Sequence, residues 1–337
     1  MKTNLSIALP SWPLHAKKYL QDLISKNAHS GAFAVFDADQ TTYQYDLVSA
    51  FLPFLEQKGV LTRETMHPSL KLIPFLDREG YQESLYSYYE RLGQIDDQIG
   101  YPWASQIFAG FQIKQLKIWM DEMLALNSPL SAQVTNGRSE KTDIIPIPKM
   151  LKGQQELYAA LMASGIEVFV VTAAAEELVR MIVADPLYGY SVKPANVIGV
   201  NLALRHPVTQ ELSTSRKKIE QGAYSQEQMQ DYELTHALWA PLPWYEGKYA
   251  AIRTHIHKWK KPILVAGDTP QSDGPMFFRA PDLNKGGVRL FVNKGPSYLA
   301  HLQQLQNQHE QAQLEQGLTP DALQNWLIVD THELLGE

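Results

Sequence analysis

The sequence contains no cysteine, which excludes disulfide bridges, thiolate nucleophiles and cysteine-bound metals and leaves the redox compartment undecided. No apolar run approaches the ~18 residues of a membrane span. Positive charge is not in excess: 36 acidic against 30 basic residues leave a net charge of −6, a poor match to a nucleic-acid backbone. The densest basic clusters, RKK at 216–218 and KWKK at 258–261, are short and read as solvated helix faces. The N-terminal MKTNLSIALPSW carries one lysine and too short an apolar segment for a secretory signal peptide. The chain is therefore read either as cytoplasmic or as a mature form whose leader has been removed.

What is present is globular in character. Hydrophobic residues make up 45% and charged residues 20% of 337 positions, enough for one large domain or two ordinary ones. Three apolar runs, GAFAVFD (31–37), GIEVFVVTAA (165–174) and KPILVAGD (261–268), predict buried parallel strands, each ending in a small or polar residue. Helical patterns at 154–165 and 249–261 precede the second and third. Further strands are expected at 196–204, 288–293 and 326–330, and the alternation argues for a doubly wound α/β sheet. Residues 51–149 do not alternate. FLPFLEQKG, LIPFL, YQESLYSYYERLGQID and WASQIFAGFQIKQLKIWMDEML all read as helices, with no convincing strand among them. Residues 206–243 read as a polar excursion from the core, and the Gln-rich 299–317 as an exposed helix.

In open α/β sheets ligands bind beyond the carboxyl ends of the strands. The first strand delivers Asp37, Asp39 and Thr41, the second Thr172, and the third Asp268 with Asp273 across a short loop; Lys248 precedes the helix feeding the third. Four gathered carboxylates repel one another, and an all-oxygen set of this kind suits Mg²⁺. The Thr172 hydroxyl and the Lys248 ammonium are what the equatorial oxygens of a transferring phosphoryl group need. One carboxylate can then attack phosphorus, and a second can protonate the leaving oxygen and activate water.

FDADQT, VVTAA, the lysine of EGKYAAI and AGDTPQSD, in that order, resemble the four motifs of the haloacid dehalogenase (HAD) superfamily. The resemblance implies a HAD-like, Rossmann-type core at 1–50 and 150–337. It also implies an inserted helical cap of the first type (C1) at 51–149. Residue by residue it implies Asp37 as nucleophile, Asp39 as acid/base, and Thr172 and Lys248 as phosphate ligands. Asp37, the Asp39 main-chain carbonyl and Asp268 would hold Mg²⁺, with Asp273 acting from behind them or through water. Dehalogenases of the superfamily lack an acid at the position of Asp39, so its presence points to phosphoryl transfer. FDADQTTYQYDLVSAFLPFLEQKG and GDTPQSD are further similar to the bacterial branch acting on phosphorylcholine, whose members imply a periplasmic or secreted mature form.

The expected activity is thus Mg²⁺-dependent hydrolysis of a small phosphate monoester, phosphorylcholine or a related amino-alcohol phosphate, through an aspartyl-phosphate. Transfer to an acceptor other than water, and a non-catalytic ligand-binding module, are the alternatives. Tyr43, Tyr45 and Trp103 are candidates for a cation-binding aromatic cage, while Phe108, Phe111 and Trp119 fall at core spacing. Thr41 and Ala173, beside the first and second motifs, complete the candidate substrate contacts. Ser49 stands where the resemblance implies an acidic residue facing the choline ammonium.

Overall fold

A computed structural model describes residues 7–336. Residues 1–6, half of the segment judged too short for a signal peptide, lie outside the described residues. The chain begins with α1 (Leu14–Asn27), β1 (Phe33–Phe36), the short β2 (Tyr43–Gln44) and α2 (Leu47–Gln57). Next come α3 (Leu85–Ile95), α4 (Asp97–Gln106), α5 (Ile113–Leu124), a hairpin of β3 (Leu130–Thr135) and β4 (Glu140–Ile145), and β5 (Lys149–Met150). Helix and strand then alternate through α6 (Lys152–Ala163), β6 (Glu167–Ala175), α7 (Glu176–Val183) and β7 (Val197–Arg205). After β8 (Leu212–Ser213), α8 (Ser215–Glu220), α9 (Gln226–Met229) and β9 (Glu233–Trp239) the chain returns through α10 (Glu246–Ala251) and β10 (Leu264–Gly267). It ends with α11 (Pro270–Arg279), β11 (Val288–Asn293), α12 (Pro296–Glu315) and β12 (Trp326–Asp330).

The central sheet has the order β12-β11-β10-β1-β6-β7-β8, with β9 also pairing to β7. The six strands from β12 to β7 are parallel, and β8 and β9 run against β7. β1 lies between β10 and β6, so both faces of its FAVF segment are buried. That is why it reads as a continuous apolar run with no polar alternation. Phe36, Ala34, Leu264 and Val170 pack into the larger core; Val35, Val265, Phe169 and Phe291 form the smaller core on the opposite face. The chain builds the sheet outward from β1 first toward β7 and later toward β12. The reversal places a crevice at the carboxyl ends of β1, β6 and β10, the switch point of a Rossmann-like core.

The segment from α2 to β5 leaves the sheet after β1 and returns before β6. Three details differ from the sequence expectation. The helix expected across 103–124 is broken at Gly110, whose φ of +93° only glycine adopts readily. A strand hairpin, β3–β4, stands where helices alone were expected, turning at Asn136-Gly137. LIPFL (72–76) is irregular chain, not helix.

Residues 206–243 are also more than an excursion. β9 extends the sheet, and its neighbourhood takes main-chain hydrogen bonds from the inserted segment: Gly110 N–H to Leu234 O at 2.8 Å, Ile113 N–H to Tyr232 O at 3.0 Å and Lys114 N–H to Gln230 O at 2.9 Å. Within the RKK cluster Arg216 is buried, not solvated. Its guanidinium meets Glu176 at 3.0 Å, beside the Arg180–Glu176 and Arg180–Glu177 pairs, because a buried arginine persists only when paired. Among the described residues no helix is long and apolar enough to cross a membrane.

Candidate active site

Asp37 is the first residue beyond β1, and its N–H donates to Ala266 O of β10 at 2.9 Å, which pins the strand end. The loop after it is held from below. Gln154 of α6 donates to Thr41 O at 2.8 Å, the Tyr190 hydroxyl to Thr42 O at 2.6 Å, and the Thr42 hydroxyl to Asp37 O at 2.5 Å. Gln40 takes a left-handed φ of +61°, and its side chain accepts from Tyr45 N–H at 3.1 Å, turning the chain back toward α2. Asp39 then accepts from Leu47 N–H at 2.9 Å, at the amino end of α2.

Lys248 of α10 is buried with its ammonium 2.7 Å from Asp37 and 2.6 Å from Asp273. Asp273, fully buried in the first turn of α11, also accepts at 2.9 Å from the N–H groups of Asp268 and Thr269. It therefore orders the loop that carries Asp268. Asp268 follows β10 and accepts from the Thr41 hydroxyl at 3.2 Å and the Thr269 hydroxyl at 2.9 Å. Lys294 stands 2.5 Å from the same carboxylate. On β6, a register shift between Val171 and Ala175 turns Thr172 and Ala173 toward this group. Together Asp37, Asp39, Gln40, Asp46, Tyr101, Thr172, Ala173, Lys248, Asp268 and Lys294 line one cleft of about 190 Å³.

The electrostatics follow from burial. Loss of solvent pushes the Asp37 carboxyl up to about 8; Lys248 opposes this, while Asp273 and Asp268 add to it. Asp39 is held well above the usual carboxylate range by the same desolvation and next by the charge of Asp46. Asp268 is raised by burial, with Lys294 opposing. Lys248 is raised despite its own burial, because Asp273 and Asp37 both favour its cation. Carboxyl oxygens of Asp37, Asp268 and Asp273 lie within 4.8 Å of one another, so the triad could bind a metal ion. Hard oxygen donors with uncompensated negative charge fit a small dication such as Mg²⁺.

The sequence-derived residues thus separate into two groups. Asp37, Asp39, Thr172, Ala173, Lys248 and Asp268 come together at the cleft, with Asp273 directly behind. Thr41, Tyr43, Tyr45 and Trp103 do not line it. Thr41 is buried against Asp268, and Tyr43 is fully buried in the core beside Asp39. Trp103 is buried with its indole N–H on Leu70 O, stacked on Tyr89, and Tyr45 lines a separate surface cavity. For Tyr43 and Trp103 bulk explains the difference: fully enclosed rings are used up by packing. Among the cleft residues to which the sequence assigned no role are Asp46, Tyr101 and Lys294. For Asp46 a signal existed, since an acid just before an apolar helix is an N-cap pattern, and its carboxylate does accept from Ser49 N–H at 2.7 Å. Ser49 itself is therefore a capped helix position, and the nearby acid in the cleft is Asp46.

A mostly parallel α/β sheet with an acidic, oxygen-rich cleft at its switch point defines a Rossmann-like core whose acidic triad could bind a metal ion. The chain is 49% identical over 326 residues to the phosphorylcholine phosphatase of Pseudomonas aeruginosa, spanning 97% of this chain and 93% of that protein. It belongs to that phosphorylcholine phosphatase family. No protein-family model matches it. Among solved structures, a functionally unknown protein from Anaerococcus prevotii shares the fold, with a TM-score of 0.59 at 15% identity over 88% of this chain and 90% of that one.

Proposed function

We propose that the protein is a Mg²⁺-dependent phosphomonoesterase of the HAD type that acts on phosphorylcholine or a closely related amino-alcohol phosphate. The observation that carries this is the convergence of Asp37, Asp39, Thr172, Lys248 and Asp268 on one small cleft, in a chain 49% identical to a phosphorylcholine phosphatase. In this reading Asp37, the Asp39 carbonyl and Asp268 would hold Mg²⁺, which would supply neutralisation of the negative charge that the carboxylates and the phosphate bring together. Asp273 works from behind, with its three hydrogen bonds directed to Lys248 and the Asp268 loop.

The chemistry assigned to the chain's own groups is as follows. A carboxylate oxygen of Asp37 attacks phosphorus, and the ester P–O bond breaks as an aspartyl-phosphate forms. Asp39, kept protonated by its desolvated position beside Asp46, gives its proton to the departing alcohol oxygen. The resulting Asp39 carboxylate then takes a proton from water, which attacks phosphorus and frees Asp37. Thr172 and Lys248 hold the equatorial oxygens throughout. Residues 51–149 serve as a C1-type cap over a core of 1–50 and 150–337; Tyr101 of α4 reaching the cleft supports that division. Asp46 and Tyr101 offer a carboxylate and an aromatic face, the pair a quaternary ammonium needs, with Tyr89 and Glu90 within electrostatic reach of Asp46.

The test is hydrolysis of phosphorylcholine and p-nitrophenyl phosphate with Mg²⁺ and with chelator, by wild type and Asp37→Asn. Activity should require Mg²⁺ and fall at least ~1,000-fold in the variant. Undiminished turnover by Asp37→Asn would place the nucleophile elsewhere.

A further inference from the structure

Lys294 is the second ammonium group of the cleft, and none of the motifs accounts for it. β11 pairs in register with β10, Leu290 opposite Ala266, so the residue just past Asn293 arrives beside Asp268. Its Nζ lies 2.5 Å from Asp268 Oδ2 and 2.9 Å from the Thr269 hydroxyl, and 4.2 Å above the ring of Tyr298. The turn that carries it is also fixed. Asn293 donates to Asp330 at 2.6 Å and accepts from Gly295 N–H at 3.1 Å. A flexible surface lysine would not be held on three sides.

Charge explains why a lysine belongs there. Asp37, Asp39, Asp46, Asp268 and Asp273 set against Lys248 and Lys294 leave three negative charges when every group is ionised, enough to attract a dication with both lysines in place. Without Lys294 the empty cleft would carry one more negative charge. It would then grip a dication harder, and the loaded cleft would be more negative toward a phosphate dianion.

We infer that Lys294 is a positioning residue that sets the charge of the metal site, restraining cation affinity so that the loaded cleft admits phosphate. The inference rests on the reading of the cleft as a Mg²⁺ and phosphate site, and it predicts opposite changes in the two affinities. A lysine that merely supported the fold would weaken both together when removed.

The experiment uses the full chain at pH 8: calorimetric titration of Mg²⁺ alone, then of inorganic phosphate into Mg²⁺-saturated protein. Lys294→Met should bind Mg²⁺ about tenfold more tightly and phosphate about tenfold more weakly than wild type, with Lys294→Arg close to wild type for both. If methionine perturbs folding, as a melting curve would reveal, Lys294→Gln replaces it and should show the same opposed pattern. Loss of both affinities, a change in only one, or no change overturns the inference. Wild type that takes up neither ligand overturns the proposed function itself, and this inference with it.

Discussion

Lys248 and Asp273 form a fully enclosed ion pair at 2.6 Å, and the same ammonium reaches Asp37 at 2.7 Å. One cation therefore holds two carboxylates from different parts of the chain, joining the end of β1 to the start of α11. Removing one partner of a buried pair leaves uncompensated charge and costs about 3–5 kcal/mol. Lys248→Ala is accordingly expected to lower stability by about that amount and activity by ~100-fold or more. Because Mg²⁺ in the proposed site would supply charge to the same carboxylates, it should recover part of the lost stability but little of the activity. Thermal melts with and without Mg²⁺ check this; a variant as stable as wild type in chelator would show that the pair contributes nothing.

Stability should also depend on pH in a metal-sensitive way. In the metal-free protein Asp37 is raised from 3.8 to about 8, and Asp268 moves in the same direction. Between those limits the native state keeps a proton that the unfolded chain has released. Stability from this group is thus fully present below about pH 4 and is lost as pH rises through about 8. A dication bound in the proposed site would take the proton's place. The Mg²⁺-induced rise in melting temperature should be small near pH 5 and reach several degrees near pH 8. A shift of equal size at both pH values would mean that the cation does not bind where Asp37 titrates.

The parts of the site legible in the sequence are those a buried parallel strand advertises. GAFAVFD, VFVVTAA and KPILVAGD are apolar on both faces because β1, β6 and β10 are covered on both sides. The polar residue ending each run is therefore conspicuous. What stayed hidden depends on tertiary neighbours. Lys294 follows an ordinary strand and acquires meaning only because β11 lies against β10. Tyr101 looks like any helix aromatic until α4 reaches the cleft, and Arg216 like a surface charge until Glu176 meets it. Tyr43 and Trp103 lie away from the cleft for the converse reason: their rings are packed inside. The β3–β4 hairpin had a local signal, Asn136-Gly137, but its flanking runs are half polar and short.

Asp46 offers a way to separate substrate choice from chemistry. Its carboxylate does two things, capping α2 through Ser49 N–H and placing negative charge in the cleft. Asn caps nearly as well as Asp, so Asp46→Asn removes the charge and keeps the helix start. Turnover efficiency on phosphorylcholine should fall about 5- to 30-fold, whereas p-nitrophenyl phosphate, which carries no cation, should change less than about twofold. Equal losses on both substrates would assign Asp46 to the reaction itself, through Asp39, and not to ammonium recognition.

Gly267, the last residue of β10, tests whether the site depends on close backbone approach. A Cβ added there would lie 2.5 Å from Asp273 Oδ2, 2.6 Å from its Cγ and 2.9 Å from the Phe277 ring. None of these neighbours can retreat easily, since Asp273 is tied to Lys248, Asp268 N–H and Thr269 N–H, and Phe277 is buried in the smaller core. Overpacking of this kind costs about 1–3 kcal/mol. Gly267→Ala should therefore lose stability by that amount and, because Asp273 must shift, lose Mg²⁺ affinity as well. The contrasting substitution is Gly274→Ala in α11, where an added Cβ meets only Phe278 at 4.0 Å and should leave both properties intact. If Gly267→Ala melts like wild type and binds Mg²⁺ equally well, Asp273 is not the rigid support that the ordering of the Asp268 loop requires.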